Sequence, residues 1–258
     1  NHVESLLTDA RLTILGLKGI PEVRSGDSIG ELIMEALKNE DRSVEDNDIF
    51  IVTQKIISKV ENRFRRIRDI IASDKAKELA KSLSRDAKHI QLILEESNRS
   101  IRAENGIIIT ETIHGLVCAN SGIDQSNVEK GTFSLLPLDP DGSAGRIRRE
   151  IMKLTGNDVA VIISDTFGRP FREGQTNVAI GVAGLIPLED YRGRRDKFGN
   201  ILSSTVIATA DELAAAGELV CGKLENIPVA LIRGYQYRRG DGSSKELIMP
   251  PHKDLFRR

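Results

Sequence analysis

The chain has 258 residues, 40% of them hydrophobic and 29% charged, with a formal net charge of -1, no Trp and two Cys. This composition is typical of a globular protein with one large domain or two modest ones, and it excludes a bulk electrostatic attraction to nucleic acid or to anionic membranes. We expect a cytoplasmic protein with reduced thiols, because the cysteines lack metal-type spacing, no apolar run could span a membrane and no secretory signal is visible.

The first half of the chain is predicted to alternate strands and helices. Apolar runs predict strands over residues 12–17, 49–53 and 106–110. Ser28, followed three residues later by Glu31, forms the capping box of a helix whose apolar residues recur at helical spacing. The longest helix is predicted from residue 73 or 74 to about residue 97, with His89 on its surface.

Two polar segments follow strands in this half. The second strand runs directly into Gln54 and Lys55, with Lys59 one helical turn later. Lysines in this place either hold phosphates or simply begin a solvated helix, and the second arrangement is the more common one. The third strand leads to a Gly- and Asn-rich segment that presents Asp124 and Asn127 in a tight turn. An Asx turn with no further role would explain this segment. We favour a functional site, because Asp124 would supply a carboxylate to a metal ion.

The second half is also predicted to be mixed. Ser143 is predicted to cap a helix that runs to Leu154 and ends at Gly156. A second capping box at residues 209–212 is predicted to open a helix to about residue 220, whose small residues 214–217 permit close packing. Strands are predicted over residues 159–163, 178–184, 205–208 and 228–232, and the tail from residue 238 is predicted to be irregular.

A loop rich in reactive side chains is predicted between the first two of these later strands. Asp165 and Thr166 offer the hard oxygen donors that Mg²⁺ and Mn²⁺ prefer. Arg169 and Arg172 suit two-pronged contacts with phosphate or carboxylate oxygens. The alternative is a surface turn in which the arginines pair with Glu173, and the residues alone favour neither interpretation.

The order of the elements predicts mixed α and β layers, because the crossovers between strands are uneven and long. The P-loop pattern is absent, and so is the Gly-rich dinucleotide signature, so we expect neither a P-loop nor a Rossmann fold. The four histidines are too dispersed to form a zinc site. We expect the strands near both termini to share one unit and the middle of the chain to form a second, with the boundary left open.

Several long segments carry a family resemblance. They are GIPEVRSGDSIGEL (19–32), VTQKIISKVENR (52–63), CANSGIDQSN (118–127), LLPLDPDGSA (135–144), ISDTFGRPFREGQTNVAIGVAGL (163–185) and ADELAAAGELVCGK (210–223). Together they closely resemble the coenzyme F(420)-0:L-glutamate ligases, the CofE-like gamma-glutamyl ligase family. The resemblance implies a CofE-like two-domain α/β fold, with residues 1–258 as a single ligase unit of two intertwined subdomains, and a homodimer. In one type of this family a flavin-binding nitroreductase-like domain follows, and we expect none in this chain.

The resemblance implies a GTP-dependent enzyme that adds L-glutamate to the deazaflavin cofactor precursor coenzyme F(420)-0. The acceptor carboxylate would attack the γ-phosphate of GTP, and the glutamate amine would displace phosphate from the acyl phosphate. Two divalent ions, Mg²⁺ or Mn²⁺, would neutralise the phosphate charge, and whether K⁺ also takes part is left open. The alternatives are a non-catalytic module that binds GTP or deazaflavin and a metal-dependent phosphate hydrolase.

The site residues that we assign on this basis fall into three groups. Catalysis is assigned to Asp165, Arg169 and Arg172, and metal binding to Asp124, Asp165 and Thr166. Nucleotide binding is assigned to Ile20, Pro21, Glu22, Val23, Gln54, Lys55, Lys59, Asn127, Cys221, Gly222, Lys223, Leu224 and Glu225. One departure stands out, because Lys223 occupies the place of an expected metal-binding carboxylate and an ammonium cannot ligate a divalent ion. A main-chain oxygen, Glu225 or water would then substitute, or the second ion would bind more weakly, or Lys223 would contact a phosphate instead.

Overall fold

The computed structural model describes residues 11–126 and 128–255, in which helices and strands alternate irregularly. The helices are α1 (Ile29–Asn39), α2 (Gln54–Val60), α3 (Asp74–Leu83), α4 (Ala87–Glu95), α5 (Pro140–Thr155) and α6 (Thr209–Cys221). The strands are β1 (Thr13–Gly16), β2 (Ile49–Thr53), β3 (Phe64–Arg66), β4 (Ser97–Glu104), β5 (Ile107–Thr112), β6 (Val117–Ala119), β7 (Thr132–Ser134), β8 (Ala160–Arg169), β9 (Arg172–Ala183), β10 (Glu189–Asp190), β11 (Val206–Ile207) and β12 (Val229–Arg233). Within the described ranges, no helix has the length and apolar character needed to cross a membrane.

The main sheet has the strand order β1-β12-β2-β8-β9. Strands β2 and β8 pair in parallel, whereas the other neighbours in this sheet are antiparallel. Residues 159–163 are fully buried, because alternate side chains enter two different apolar cores, one beside α1 and α5 and one beside α6. The predicted strand with both faces buried is therefore confirmed, and so is the mixed α/β architecture.

A smaller layer lies beside the main sheet. Strands β4, β5 and β6 form an antiparallel three-stranded sheet, and a third apolar core packs α3 and α4 with Phe133 of β7 and Ile108 of β5. Strand β1 pairs with β12, so the first and last strands of the described residues belong to the main sheet. The division into two subdomains stays a prediction.

The single long helix predicted over residues 73–97 is wrong. Ser84 adopts a left-handed conformation with φ 53° and ends α3, after which the Asp86 carboxylate accepts hydrogen bonds from two backbone N–H groups and begins α4. His89 is not a plain surface residue either, because its ring lies 4.7 Å from that of Phe133. Residues 98–104, which we left without an element, belong to β4.

Two predicted helix starts are also wrong. Helix α5 begins at Pro140 with Asp139 as its cap, since proline has a backbone angle suited to the first helical turn, and Ser143 lies inside the helix. Helix α6 lacks the predicted capping box, because Thr209 is already the first helical residue and Ala208 before it has no side chain that could cap the helix. The cap of α1 by Ser28 and the end of α5 at Gly156 are confirmed.

Candidate active site

A cavity of about 900 Å³ opens where β2 ends and its parallel neighbour β8 continues past it. The pairing of the two strands ends where Thr53 of β2 meets Ser164 of β8. The residues that follow β2 and residues 164–168 of β8 therefore line the same space, as is common for ligand sites in sheets with parallel strands. Further walls come from residues 20–23, from the segment after β6 and from the end of α6.

Most of the predicted site residues line this cavity. They are Ile20, Pro21, Glu22, Val23, Gln54, Lys55, Lys59, Asp124, Asp165, Thr166, Gly222 and Lys223. The structure therefore brings into one space residues that lie up to two hundred positions apart in the sequence. Asn127, which we assigned to nucleotide binding, lies outside the described residues.

Arg169 and Arg172 lie at the tip of a hairpin and not in the lining of the cavity. The predicted loop between the strands is wrong, because β8 and β9 continue as a two-stranded ribbon in which Thr166 pairs with Asn177 and Gly168 with Gln175. Arg169 donates a hydrogen bond to the backbone oxygen of Gly174 at 3.3 Å. Their assignment to catalysis stays a prediction that needs the hairpin to approach the ligand.

Three predicted nucleotide-binding residues at the end of α6 also lie outside the lining. Cys221 is buried in the core beside α6, and burial raises the pKa of its thiol to about 12. Leu224 is 87% exposed, and its backbone N–H donates to the Glu225 carboxylate at 2.9 Å. At this end of α6 the cavity is lined by Gly222 and Lys223 instead.

Lys55 and Asp124 form an ion pair in the cavity wall. The ammonium group of Lys55 also donates to the hydroxyl and the backbone oxygen of Ser126, both at 2.9 Å. Ser126 in turn donates its backbone N–H to Asp124 Oδ1 at 2.8 Å, so the predicted Asx turn is present. Burial opposes ionisation of Asp124, but the hydrogen bonds from Lys55 and Ser126 outweigh it and hold the pKa of this carboxyl below its usual value.

Asp165 lies deep in the same cavity, where its carboxyl group keeps partial access to the open space. Burial is the main cause that raises its pKa to about 6, and the hydrogen bond from the Thr166 N–H opposes that effect. The charges of Lys55, Asp124 and Lys223 also act on this carboxyl group. The two carboxylates that we predicted as metal ligands are therefore close enough to interact.

Lys223 is held by a network that the sequence analysis did not find. Its Nζ donates to Thr166 Oγ1 at 2.6 Å and forms an ion pair with Glu218 Oε1 at 2.9 Å. The Thr166 hydroxyl donates to Asn177 Oδ1 at 2.7 Å, and Asn177 Nδ2 donates to Glu218 Oε2 at 2.9 Å. Glu218 lies five residues before Lys223 at the end of one helix, but Asn177 could be identified only once the hairpin register was known.

The donor set fits one divalent ion. Mg²⁺ typically takes one or two carboxylates and completes its shell with phosphate oxygens and water, which suits Asp124 and Asp165. Among the described residues there is no group of three or more His, Cys, Asp or Glu that could hold a metal by itself. At Thr166 an ion would have to displace the ammonium of Lys223, which contacts the hydroxyl group of that residue, and the assignment of Thr166 to metal binding stays a prediction.

Three lysines line the cavity together with four carboxylates. Lys55 and Lys223 face the carboxylates described above, and Lys59 forms an ion pair with Glu22. The Glu22 side chain is 77% exposed, so this pair is open to solvent and an anionic ligand could take its place. Ammonium groups beside carboxylates in a deep cleft suit a ligand that brings phosphate oxygens together with a divalent ion.

Comparison with known proteins identifies the family of the chain. The profile of the family described as F420-0:Gamma-glutamyl ligase matches residues 18–234. The chain is 45% identical over 249 residues to the coenzyme F420:L-glutamate ligase of Methanothermobacter thermautotrophicus, which covers 95% of the chain and 99% of that protein. It is 44% identical over 250 residues to the protein of the same name from Methanocaldococcus jannaschii, with 96% of the chain and 97% of the relative covered. The protein of the same name from Archaeoglobus fulgidus is 39% identical to the chain over 249 residues, with 96% of the chain and 97% of the relative covered.

Proposed function

The chain belongs to the F420-0:gamma-glutamyl ligase family, and from this premise we propose that its cavity binds GTP and uses it to activate the acceptor of the reaction. The protein is a ligase that joins L-glutamate to coenzyme F420-0. Formation of an amide from a carboxylate and an amine needs an activated acyl group, so a ligase must couple the reaction to a phosphate donor. The observation that carries the proposal is the meeting of Asp124, Asp165 and three lysines in one cavity.

The charges of the cavity support a triphosphate as the donor. A nucleoside triphosphate carries several negative charges close together, and it binds where ammonium groups and a divalent ion neutralise them. Lys55, Lys59 and Lys223 line the cavity, and Asp124 with Asp165 would hold the ion. A volume of about 900 Å³ is at the upper end of the range of small-molecule sites, as expected if a nucleotide and an acceptor bind side by side. The choice of guanine as the base follows from the family resemblance.

The proposed reaction has two steps. A carboxylate oxygen of the acceptor attacks the γ-phosphorus of GTP, and the bond from that phosphorus to the β,γ-bridging oxygen breaks, which releases GDP. The amine nitrogen of L-glutamate then attacks the acyl carbon, the C–O bond to phosphate breaks, and the nitrogen loses a proton as the amide forms. Catalysis of this kind depends on positioning and on charge neutralisation, and no protein nucleophile is needed.

The residues of the cavity have distinct roles in this proposal. A bound divalent ion would neutralise the phosphate oxygens as a Lewis acid. Asp124 and Asp165 hold that ion, and the Ser126 turn keeps the Asp124 carboxylate oriented. Lys55 is fixed beside Asp124, so that its charge adds to that of the ion at the phosphates. Lys59 exchanges Glu22 for a phosphate oxygen when the nucleotide binds.

The test is a set of incubations of the protein with GTP and Mn²⁺. We expect GDP release only when L-glutamate and coenzyme F420-0 are both present, together with a product whose mass is larger by one or more glutamyl residues. ATP in place of GTP is the matched control and should give little product. Release of GDP from GTP alone would instead indicate a phosphate hydrolase, and nucleotide binding without release would indicate a non-catalytic module.

A further inference from the structure

The network around Lys223 forms a closed ring of four side chains. Lys223 contacts Thr166 and Glu218, Thr166 donates to Asn177, and Asn177 donates to Glu218. Asn177 is 3% exposed, so its side chain connects the ring to the buried part of the structure. The Lys223 side chain is 59% exposed, so its ammonium group remains open to the cavity that it lines. The ring therefore fixes a cation at a defined place and leaves it accessible to a ligand.

The same oxygens could otherwise bind a divalent ion. The Glu218 carboxylate and the Thr166 hydroxyl are hard donors, and both lie within hydrogen-bond distance of the Lys223 nitrogen. The ammonium thus occupies the position from which a metal ion would contact both groups. An ammonium has three N–H donors, of which Thr166 and Glu218 accept two, and the third is available to an anionic ligand.

The net charge at the Lys223 ring differs from the net charge at Asp124 and Asp165. There, two carboxylates face the single ammonium of Lys55, which gives a sum of -1 when all three groups are ionised. At the ring, one carboxylate of Glu218 faces the ammonium of Lys223, and the sum is zero. A divalent cation is attracted to the first position by this net charge, where it competes with Lys55 for the Asp124 carboxylate, whereas at the second position no net charge favours it over the hydrogen-bonded ammonium.

We propose that the ammonium group of Lys223 takes the place of a second divalent ion, so that this enzyme binds one divalent ion per chain and contacts a phosphate oxygen of the nucleotide with Lys223. This inference rests on the proposed function for the identity of the ligand. The number of ions is a property of the side chains and can be measured on the protein without turnover. Lys223 acts here as a binding group for the phosphates, and Glu218 and Asn177 act as positioning residues.

The experiment counts bound Mn²⁺ by electron paramagnetic resonance, first with Mn²⁺ alone and then with a non-hydrolysable GTP analogue. We expect one tightly bound ion per chain in the wild type under both conditions. Lys223→Glu should bind two, because it places a second carboxylate beside Glu218 and Thr166. Lys153→Glu in α5 is the matched control, since it makes the same change of charge at an exposed lysine outside the cavity, and it should still bind one.

A second variant keeps the inference testable if Lys223→Glu does not fold. Lys223→Met should bind one Mn²⁺, as the wild type does, but should bind the GTP analogue about tenfold more weakly, because a hydrogen bond to a charged group is lost. Two tight ions in the wild type, or unchanged affinity of Lys223→Met for the analogue, would overturn the inference. A wild type that binds one Mn²⁺ but no GTP analogue would contradict the proposed function while leaving the ion count intact.

Discussion

Asp165 is the residue on which the proposed chemistry most depends. It lies deep in the cavity and is close enough to Lys55, Asp124 and Lys223 to sense their charges. A carboxylate in this place costs desolvation energy, and such groups are common where a cation or a reacting group compensates for the cost. Its position in β8, two residues after the fully buried residues 159–163, makes its location precise, because the strand cannot slide without exposing its apolar residues.

Replacement of Asp165 by Asn should abolish turnover and leave the fold intact. The amide has the same shape but lacks the charge that would hold the divalent ion, so we expect at least about a hundredfold fall in kcat. GDP release measures the loss, and circular dichroism with thermal unfolding checks the fold. Asp196→Asn, in an exposed turn, is the control and should keep full activity. An active Asp165→Asn enzyme would remove this residue from the site.

The lowered pKa of His89 leads to a second prediction. Burial beside Phe133, and then the charge of Arg85, lower the pKa of His89 to about 4, so the folded state favours the neutral ring. Because the folded pKa is below the unfolded value of 6.5, its contribution to stability is complete above pH 6.5 and is lost as the pH falls towards 4. We expect a loss of about 2 kcal/mol, allowing for partial exposure to solvent.

The measurement compares the free energy of unfolding of the wild type and of His89→Leu, by urea denaturation at several pH values between 7 and 4. The difference in the free energy of unfolding between the wild type and His89→Leu should change by about 2 kcal/mol as the pH falls. His252→Leu changes an exposed residue of the tail, so its free energy of unfolding should follow that of the wild type at every pH. Parallel curves for the wild type and His89→Leu would show that the ring is not held in its neutral form.

At the scale of elements, helix α6 approaches the main sheet unusually closely. A Cβ atom added to Gly217 would lie 2.9 Å from the Cβ atom of Ile51 in β2, which is shorter than a normal contact. The small residues noted at 214–217 in the sequence are therefore explained by this packing. This close packing fixes the position of α6 against the sheet. It therefore also fixes where Glu218 of α6 and Lys223 just after it line the cavity.

Gly217→Ala should therefore destabilise the protein by about 1–3 kcal/mol, since a new methyl group would have to push α6 away from β2. Gly145→Ala in α5 is the matched control, because its added Cβ would meet only the flexible end of Arg149, at 3.3 Å. That change should be neutral or stabilising, as alanine favours a helix over glycine. Equal effects of the two substitutions in urea denaturation would contradict the packing described here.

Elements that depend on local patterns could be predicted from the sequence, and those that depend on tertiary pairing could not. The buried strand at residues 159–163 and the cap at Ser28 follow from apolar spacing and capping chemistry, and both are present. The polar residues 164–177 have no apolar alternation, so nothing local showed that they continue as a hairpin. The break at Ser84 was hidden because the apolar residues on both sides of it keep helical spacing.

The site could be predicted only in part for the same reason. The motifs around Asp124 and Asp165 pointed to these two carboxylates, and the parallel pairing of β2 with β8 explains why the residues after β2 and residues 164–168 within β8 line the same cavity. Glu218 and Asn177 carry no motif of their own, and they enter the site through the hairpin register and the end of α6.

At the scale of the whole molecule, the cavity lies where several separate parts of the chain converge. The end of β2 and the middle of β8 supply one wall, residues 118–124 from the smaller layer supply another, and the end of α6 with residues 20–23 supplies the rest. Residues from across the chain must therefore be in place before the ligand can bind. The homodimer, the cytoplasmic location and a role for K⁺ stay predictions.

The central claim is that this cavity binds the phosphates of GTP against one divalent ion held by Asp124 and Asp165. The most direct test is an anomalous difference map from crystals soaked with Mn²⁺ and a non-hydrolysable GTP analogue. The account predicts a single strong peak between these two carboxylates, with the γ-phosphate next to it and the Lys223 ammonium in contact with a phosphate oxygen. A peak at another place, or a nucleotide bound outside the cavity, would contradict it.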